Sequence, residues 1–384
     1  MILEKLFGKK TKVTYRPMDT TFLIIVLILI TTGLIMMFSA SYANAYYLKD
    51  GNSTFYISRQ IGAVLFGFLV MGIASMVDHR IYRLLAIPIY ILTLILLVVV
   101  LFMPPLNNAR RWIFIGPINF QPSEIAKFAI VILFASLICR NFQKMRTFLY
   151  GVLPFMLLMA PIIILMRFEP HLSGIILIFM IGVIMMFIGG THPGWYILGV
   201  SAIAVAVTAV IAKPDLLTIF AEYAGTRIEV WLDPTIDPQG KGFQTLQSLY
   251  AIASGGLMGT GIGGSRQKYL YLPEPYNDFI FAIICEELGF MGATLIICLF
   301  ALLIWRGFVI AVRCPDRFGS LVAAGLTTQV GLQTLLNIAV VTNTLPNTGI
   351  SLPFFSYGGT SLVMLMGEMG IILAISRMAS IEKN

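Results

Sequence analysis

The chain has 384 residues, of which 58% are hydrophobic and only 11% are charged. Soluble domains carry roughly 25% charged residues, so this composition excludes a soluble protein and indicates one embedded in a lipid bilayer. The net charge of +8 does not indicate nucleic-acid binding, because the basic residues are grouped in short segments between apolar runs. The spacing of the three histidines and four cysteines predicts neither a metal site nor a disulfide.

A membrane-spanning helix needs about 20 predominantly apolar residues. Ten segments reach or approach this length, and each is predicted to form a spanning helix of an all-α membrane protein. They are residues 20–38, 60–76, 81–103, 125–138, 148–166, 171–188, 195–212, 279–300, 320–341 and 354–376. The fourth is short and begins with polar residues, so we expect its start to lie inside the helix bundle.

The basic residues indicate the orientation of these spans. With ten spans and a cytoplasmic N-terminus, the clusters around Arg80, Arg140 and Arg313 all fall on the cytoplasmic side, as the positive-inside rule requires. Both termini are then cytoplasmic. We interpret the clusters first as topology signals, and attraction of anionic lipid headgroups is the alternative.

The largest predicted segment outside the membrane is residues 213–277, between the seventh and eighth spans of a single membrane domain covering 1–384. Its aromatic and apolar residues predict short helices along the bilayer surface, one of them near residues 243–252. Its glycine-dense stretch, 255–264, lacks the lysine of a phosphate-binding loop. Glycine allows either close approach to a ligand or tight backbone packing, and both interpretations stay open.

Asp278 lies where this loop meets the eighth span, just after Pro273 and Pro275. One interpretation is a helix N-cap or a partner of the helix dipole, typically worth about 1 kcal/mol. The other is chemical, because a carboxylate at the membrane surface can accept a proton from a sugar hydroxyl or bind a divalent cation. Glu286 and Glu287 lie roughly 12 Å further along a helix, too far for a two-carboxylate hydrolase. We expect them to contact neighbouring helices or to line a cavity floor.

A second group of polar residues precedes the fourth span. Arg110 and Arg111 are followed by Glu124 and Lys127, which are three residues apart and therefore share one helix face. One interpretation is an internal ion pair between Glu124 and Lys127. The other is a phosphate site formed by Lys127 with Arg110 or Arg111, since the guanidinium fork suits phosphate.

A third polar stretch, residues 343–361, precedes the last span. Non-helical backbone at this depth must be buried in protein or face a water-filled cavity. Ser356, Tyr357 and Thr360 are candidate hydrogen-bonding groups for a sugar headgroup. Glu368, inside the last span, receives no assignment.

These motifs together resemble the SEDS family (shape, elongation, division and sporulation) of RodA/FtsW-type peptidoglycan polymerases, over nearly the whole chain. The resemblance implies ten helices, a large outer loop, and an essential aspartate at the position of Asp278. The matching motifs are Arg-Arg-Trp-Ile at 110–113, Gln-Pro-Ser-Glu at 121–124, Tyr-Leu-Pro-Glu at 271–274, Asp-Phe-Ile-Phe-Ala at 278–282, Glu-Glu-Leu-Gly at 286–289 and Leu-Pro-Phe-Phe-Ser-Tyr-Gly-Gly-Thr-Ser at 352–361.

The chain departs from the family pattern before the sixth span. Where the family often has Gln-Pro-Asp-Leu-Gly, this chain has Glu-Pro-His-Leu-Ser-Gly at 169–174, so that His171 replaces the usual acid. The run Tyr-Leu-Pro-Glu-Pro at 271–275 favours the division and sporulation branch over the elongation branch.

The resemblance implies a glycosyltransferase of the bacterial cytoplasmic membrane that polymerises lipid II, with Asp278 as general base and a class B penicillin-binding protein as partner. No nucleotide is required, and Mg²⁺ or another divalent cation bound near Asp278 is a candidate cofactor. A flippase for lipid-linked precursor and a scaffold for other cell-wall enzymes are the alternatives. The candidate substrate-binding residues are Arg110, Arg111, Glu124, Lys127, Lys268, Glu274, Ser356 and Thr360.

Overall fold

A computed structural model describes residues 17–105, 110–115, 118–201, 231–240 and 242–378. Within these ranges, eight helices are long and apolar enough to cross a membrane, and the shorter apolar helix Leu172–Ile188 is a ninth candidate. The predicted span 195–212 and the first part of the predicted outer loop fall largely outside the described residues. The total of ten spans therefore stays a prediction, whereas the all-α membrane class is confirmed.

The elements follow each other as the hydropathy pattern predicts. In chain order they are α1 Thr20–Leu48, α2 Phe55–Met76, α3 Arg80–Val100, β1 Ile113–Ile115, β2 Ile118–Phe120, α4 Pro122–Asn141, a 3-10 turn Phe142–Lys144, α5 Phe148–Gly151, α6 Leu153–Phe168, α7 Leu172–Ile188, α8 Phe243–Gly255, α9 Ile280–Arg313, α10 Arg317–Val341 and α11 Gly359–Ser376.

The structure differs from the predictions at several helix boundaries and in one short hairpin, and α9 extends to Arg313 instead of ending near residue 300. Helix α1 continues to Leu48 and does not end near residue 38. Its polar residues Ser39, Ser41 and Asn44 are buried against other parts of the protein, so the helix need not end before them. Helix α11 begins at Gly359 rather than at residue 354, since the Tyr357 N–H donates to a distant carbonyl instead of continuing a helix. Strands β1 and β2 form an antiparallel hairpin that pairs Ile113 with Phe120 and that was not predicted from the sequence.

Helices α4 and α10 lie at the centre of the bundle. Most of α10 is buried inside the protein, and three of its amides, Gln329, Gln333 and Asn337, recur every four residues along one face. The start of α4 is buried as expected, with Ser123 and Lys127 both enclosed. These two helices supply the polar interior on which the candidate site rests.

Helix α9 is kinked at Gly289, whose φ of 66° and ψ of −171° are not helical. The glycine-rich segment 256–261 closes the gap, because the Thr260 and Gly261 N–H groups donate to the carbonyls of Glu286 (2.9 Å) and Glu287 (3.0 Å). A Cβ on Gly289 would lie 2.3 Å from the nitrogen of Gly259. Of the two interpretations left open for these glycines, the structure therefore supports tight backbone packing.

A buried ion pair holds the end of this loop against the kink. The Lys268 ammonium lies 2.9 Å from Glu287 Oε1 and also donates to Ser39 Oγ (3.2 Å) and Gly263 O (2.7 Å). Glu286 accepts from the N–H of Arg266 at 2.8 Å. Glu287 thus contacts neighbouring helix α1 as expected, but the principal partners of both glutamates belong to the loop.

The placement of Lys268 corrects one prediction. Its three donors are satisfied within the protein and its side chain is buried, so it does not face a substrate. Its positive charge instead neutralises Glu287, which would otherwise be costly to bury.

Replacing Lys268 with Met should destabilise the protein by about 3 kcal/mol, because Glu287 would keep a buried charge without its cation. The thermal unfolding midpoint in detergent measures the effect. Arg266→Met is the matched control, since it removes an exposed cation two residues away. Equal midpoints for the two variants would show that the Lys268–Glu287 pair does not stabilise the fold.

Candidate functional site

Asp278 lies two residues before α9, with its side chain half-buried at the end of the predicted outer loop. The N-cap of α9 is Phe279, and no side chain caps that helix end. The capping interpretation of Asp278 is therefore wrong. The structure leaves the carboxylate at the mouth of the bundle, where it can act on a ligand.

Three consecutive carbonyl groups fix the backbone of Asp278. The carbonyl of Tyr276 accepts from the Tyr357 N–H at 2.8 Å, and that of Asn277 accepts from Ser356 Oγ at 2.8 Å. The carbonyl of Asp278 accepts from Asn337 Nδ2 at 2.8 Å. All three donors come from α10 or from the segment joining α10 to α11, so this region positions the carboxylate.

Asn337 also controls what lies against the Asp278 side chain. Its Nδ2 donates a second hydrogen bond to the carbonyl of Ile350 at 2.6 Å. The preceding residue, Gly349, has a φ of +69°, and a Cβ there would lie 3.0 Å from Asp278 Oδ2. The carboxylate therefore packs on bare backbone, and only glycine fits that position without strain.

The surroundings of Asp278 give it the proton affinity of a base that works near neutral pH. The pKa of the Asp278 carboxyl is raised to about 6, because burial and the negative charge of Glu274 raise it and together outweigh the Arg111 guanidinium, which lowers it. Glu274 is exposed and accepts from Asn277 Nδ2 at 2.9 Å. A general base is most effective when its pKa lies near the working pH.

The structure distinguishes the two arginines. Arg110 is exposed and donates to the carbonyl of Leu101 at 2.8 Å, at the end of α3. Arg111 donates to the carbonyl of Pro170, and its charge acts on Asp278. Of the two arginines left open as phosphate ligands, Arg111 is therefore the one whose charge is felt at the carboxylate.

Arg111 contacts the turn at Pro170, which lies in the segment 169–174 where the chain departs from the family pattern. Glu169 is buried, and burial raises the pKa of its carboxyl to about 8, with the Arg111 charge opposing the shift. Burial and the charges of Arg111 and Lys127 lower the pKa of the His171 imidazole to about 3. The imidazole that replaces the usual acid is therefore neutral at physiological pH.

Glu124 and Lys127 form an internal ion pair, which is the first of the two interpretations given above. Glu124 Oε2 lies 2.9 Å from the Lys127 ammonium, which also donates to Gln333 Oε1 at 3.1 Å. Gln333 in turn donates to the carbonyl of Ser351 at 3.1 Å. Glu124, Gln333 and Ser351 line a small cavity between α4, α10 and α11.

Ser356 and Thr360 are placed differently from the predictions. Ser356 Oγ is buried, donates to Asn277 and accepts from the N–H of Leu352 at 2.7 Å, so it holds backbone rather than a sugar. Thr360 Oγ1 donates to the carbonyl of Asn119 at 3.0 Å and ties α11 to strand β2. Both side chains therefore bond backbone carbonyls of neighbouring segments around the site.

Three tyrosines pack together behind the Asp278 loop. The ring of Tyr56 lies 4.5 Å from that of Tyr276 and 5.1 Å from that of Tyr357, measured between centroids. The Tyr276 hydroxyl donates to that of Tyr56 at 3.1 Å. The cluster joins α2 to the loop that carries Asp278.

The row of three amides along α10 was not predicted from the sequence. Gln329 Nε2 donates to both carboxylate oxygens of Glu368, at 3.0 and 2.9 Å, which gives the unassigned acid a partner. Gln333 bonds Lys127, and Asn337 bonds the Asp278 carbonyl. Three amides spaced four residues apart in an apolar run would have indicated a polar helix face.

Comparison with known proteins identifies the family. Residues 19–381 match the family of FtsW, RodA and SpoVE, described as cell cycle proteins. The chain belongs to this family. Stage V sporulation protein E of Bacillus subtilis is 39% identical over 367 residues, covering 94% of this chain and 97% of that protein. Peptidoglycan glycosyltransferase MrdB of Escherichia coli K12 is 34% identical over 372 residues, covering 96% of each chain.

Solved structures share the fold of this FtsW/RodA/SpoVE family member. A chain of a peptidoglycan synthase complex aligns with a TM-score of 0.76 at 29% identity, covering 94% of this chain and 98% of that one. The rod shape determining protein RodA of Thermus thermophilus aligns with a TM-score of 0.67 at 24% identity, covering 95% and 98%.

Replacing Asn337 with Leu should destabilise the protein, because the carbonyls of Asp278 and Ile350 would lose their donor at roughly 1–3 kcal/mol each. Thermal unfolding in detergent measures this loss. Thr334→Val is the matched control on the same helix, since Thr334 Oγ1 bonds only its own helix at Val330 O. Equal unfolding midpoints for the two variants would show that Asn337 does not stabilise the segments that contain Asp278 and Ile350.

Proposed function

We propose that this protein is a peptidoglycan glycosyltransferase that polymerises lipid II at the outer face of the bacterial cytoplasmic membrane. The observation that carries the proposal is Asp278, a half-buried carboxylate with a pKa of about 6 at the mouth of a membrane bundle. Membership of the family and relatives named peptidoglycan glycosyltransferase support it.

Asp278 acts as the general base. Its carboxylate removes the proton from the 4-hydroxyl of the acceptor GlcNAc while that oxygen attacks C1 of the donor MurNAc. The new glycosidic bond forms as the bond from C1 to the lipid diphosphate breaks, and C1 is inverted. The carboxyl then releases its proton to water. General-base catalysis supplies roughly 10²–10⁴-fold, and alignment of two membrane-anchored substrates supplies much of the remainder.

Arg111 is the side chain best placed to stabilise the leaving diphosphate. Its charge acts on the pKa values of Asp278, Glu169 and His171. A guanidinium can bind a diphosphate through two parallel hydrogen bonds. Arg110 adds positive charge nearby, whereas the Lys127 ammonium is buried and acts through its field.

A divalent cation is a second source of positive charge. Asp278 and Glu274 are the carboxylates that would hold it, and the described part of the chain contains no group of three or more ligating side chains suited to a metal. Mg²⁺ readily keeps waters and substrate phosphates as its remaining ligands. When bound, it would neutralise the departing diphosphate.

A class B penicillin-binding protein is the proposed partner, because glycan strands need cross-linking and a structural relative belongs to a peptidoglycan synthase complex. Cytoplasmic termini are part of the same proposal. The turn at Asp316 contacts the turn at His79, with 2.9 Å between Asp316 Oδ2 and His79 Nε2, so the basic clusters of both turns lie at one end of the bundle.

A flippase for lipid-linked precursor remains the competing function. The intramembrane groups that could line a path, Glu124, Lys127, Gln329 and Glu368, are bonded to one another or to neighbours, which favours a structural role. In liposomes, a flippase would move precursor across the bilayer without polymerising it.

Purified Asp278→Asn protein should lose at least about 10²-fold of its polymerisation rate with lipid II, because the amide cannot accept the proton. The length and amount of glycan product measure the rate. Asp233→Asn is the matched control, since it makes the same change on an exposed acid of the same loop. Near-normal product from Asp278→Asn would remove Asp278 from the chemistry and leave a scaffold or flippase role.

The polymerisation rate should rise about tenfold per pH unit below pH 6 and level off above it, because only the ionised Asp278 is a base. Glu274→Gln should move this midpoint to lower pH, since a neighbouring negative charge that raises the Asp278 pKa is lost. Arg111→Gln should move it to higher pH for the opposite reason. Midpoints that stay in place in both variants would assign the titration to another group.

A further inference from the structure

The glycine-rich segment 256–262 presents large apolar side chains to its surroundings. Leu257 and Met258 are 70% and 76% exposed, and Ile262 is 64% exposed. Side chains of this size are seldom left in water as a contiguous group. The segment has no catalytic part in the reaction proposed above, so its exposed tip calls for a separate explanation.

The tip cannot fold inward to hide these side chains. The N–H groups of Phe290 and Met291 donate to the carbonyls of Gly256 (2.9 Å) and Leu257 (3.2 Å). On the other side of the segment, the buried Lys268–Glu287 pair fixes its end. The backbone is therefore held at both ends, with its apolar side chains turned away from the protein.

The length of α1 gives the height of this segment in the membrane. The ion pair of Asp19 and Arg306, 2.8 Å apart, lies at the start of α1. Ser39, which bonds Glu287 and Lys268, follows Asp19 by 20 residues, or about 30 Å of helix. That is the thickness of the hydrocarbon core. If the Asp19 pair lies at one boundary of the core, the Lys268 pair lies at the other.

The exposed surface of α9 continues directly from the tip. Phe290, Met291 and Leu295 are exposed along the part of this spanning helix that follows the kink. The backbone hydrogen bonds place Leu257 and Met258 beside Phe290 and Met291. Tyr269 and Tyr271 are exposed further along the same loop, and tyrosines are common at membrane interfaces.

We infer that residues 256–262 form a membrane-anchoring tip, in which Leu257, Met258 and Ile262 insert among the lipid acyl chains of the leaflet at the Asp278 mouth. The occupant is lipid because the tip extends a surface that a spanning helix already presents to lipid, at the height where the hydrocarbon core ends. The anchor holds the loop at a constant depth. This inference does not depend on the enzymatic activity.

Nitroxide spin labels test the anchor in the full chain reconstituted in nanodiscs. Leu257→Cys, Met258→Cys and Ile262→Cys are made singly after Cys139, Cys285, Cys298 and Cys314 have been replaced by Ala. Relaxation by oxygen, which concentrates in lipid, is compared with relaxation by a water-soluble nickel chelate. Leu295→Cys on α9 is the lipid-facing control, and Thr235→Cys on an exposed polar turn is the water-facing control.

The labels at 257 and 258 should match Leu295→Cys, with an oxygen-to-nickel ratio several-fold above that of Thr235→Cys. A ratio equal to that of Thr235→Cys would place the tip in water and overturn the inference. Shielding from both reagents would also overturn it, because the tip would then be covered by protein. Unfolding midpoints are compared with the cysteine-free parent, and the label at 262 provides an independent reading if a label at 257 or 258 disturbs the fold.

Discussion

The hydrogen bonds accepted by the carbonyls of Tyr276, Asn277 and Asp278 are the interaction on which the candidate site depends. A non-helical backbone at the mouth of a membrane bundle must find donors inside the protein. Here α10 and the segment that follows it provide all three donors. The same hydrogen bonds that allow the loop to lie at this depth also set the position of the Asp278 carboxylate.

The need to neutralise buried charge explains the placement of two lysines. Lys268 and Lys127 are enclosed, and each is paired with a glutamate. Arg111 instead lies where its charge is felt by Asp278 and by the turn at Pro170. Since a buried cation without a partner is strongly destabilising, the enclosed lysines serve the fold.

The local features of the chain were predictable from sequence. Apolar length predicted the described spanning helices, and Pro273 with Pro275 predicted a non-helical approach to Asp278. Residue type identified Asp278, Arg111 and the Glu124–Lys127 pair as candidates. The structural partners of Ser356 and Lys268 were not predicted, because each side chain bonds a residue distant in sequence. The role of Asn337 was not predicted, since the two carbonyls that accept its hydrogen bonds, those of Asp278 and Ile350, are known only from the structure.

The sequence by itself determined that this protein lies in a membrane, where most of its helices run, and which carboxylate stands at the edge of the bilayer. These properties depend on hydrophobicity and on residues adjacent in the chain. Only the tertiary structure decided which polar groups face a ligand and which hold the protein together. The physical reason is that a hydrogen-bond donor or a charged group pairs with the group that folding places within about 3 Å of it. That partner can come from any part of the chain.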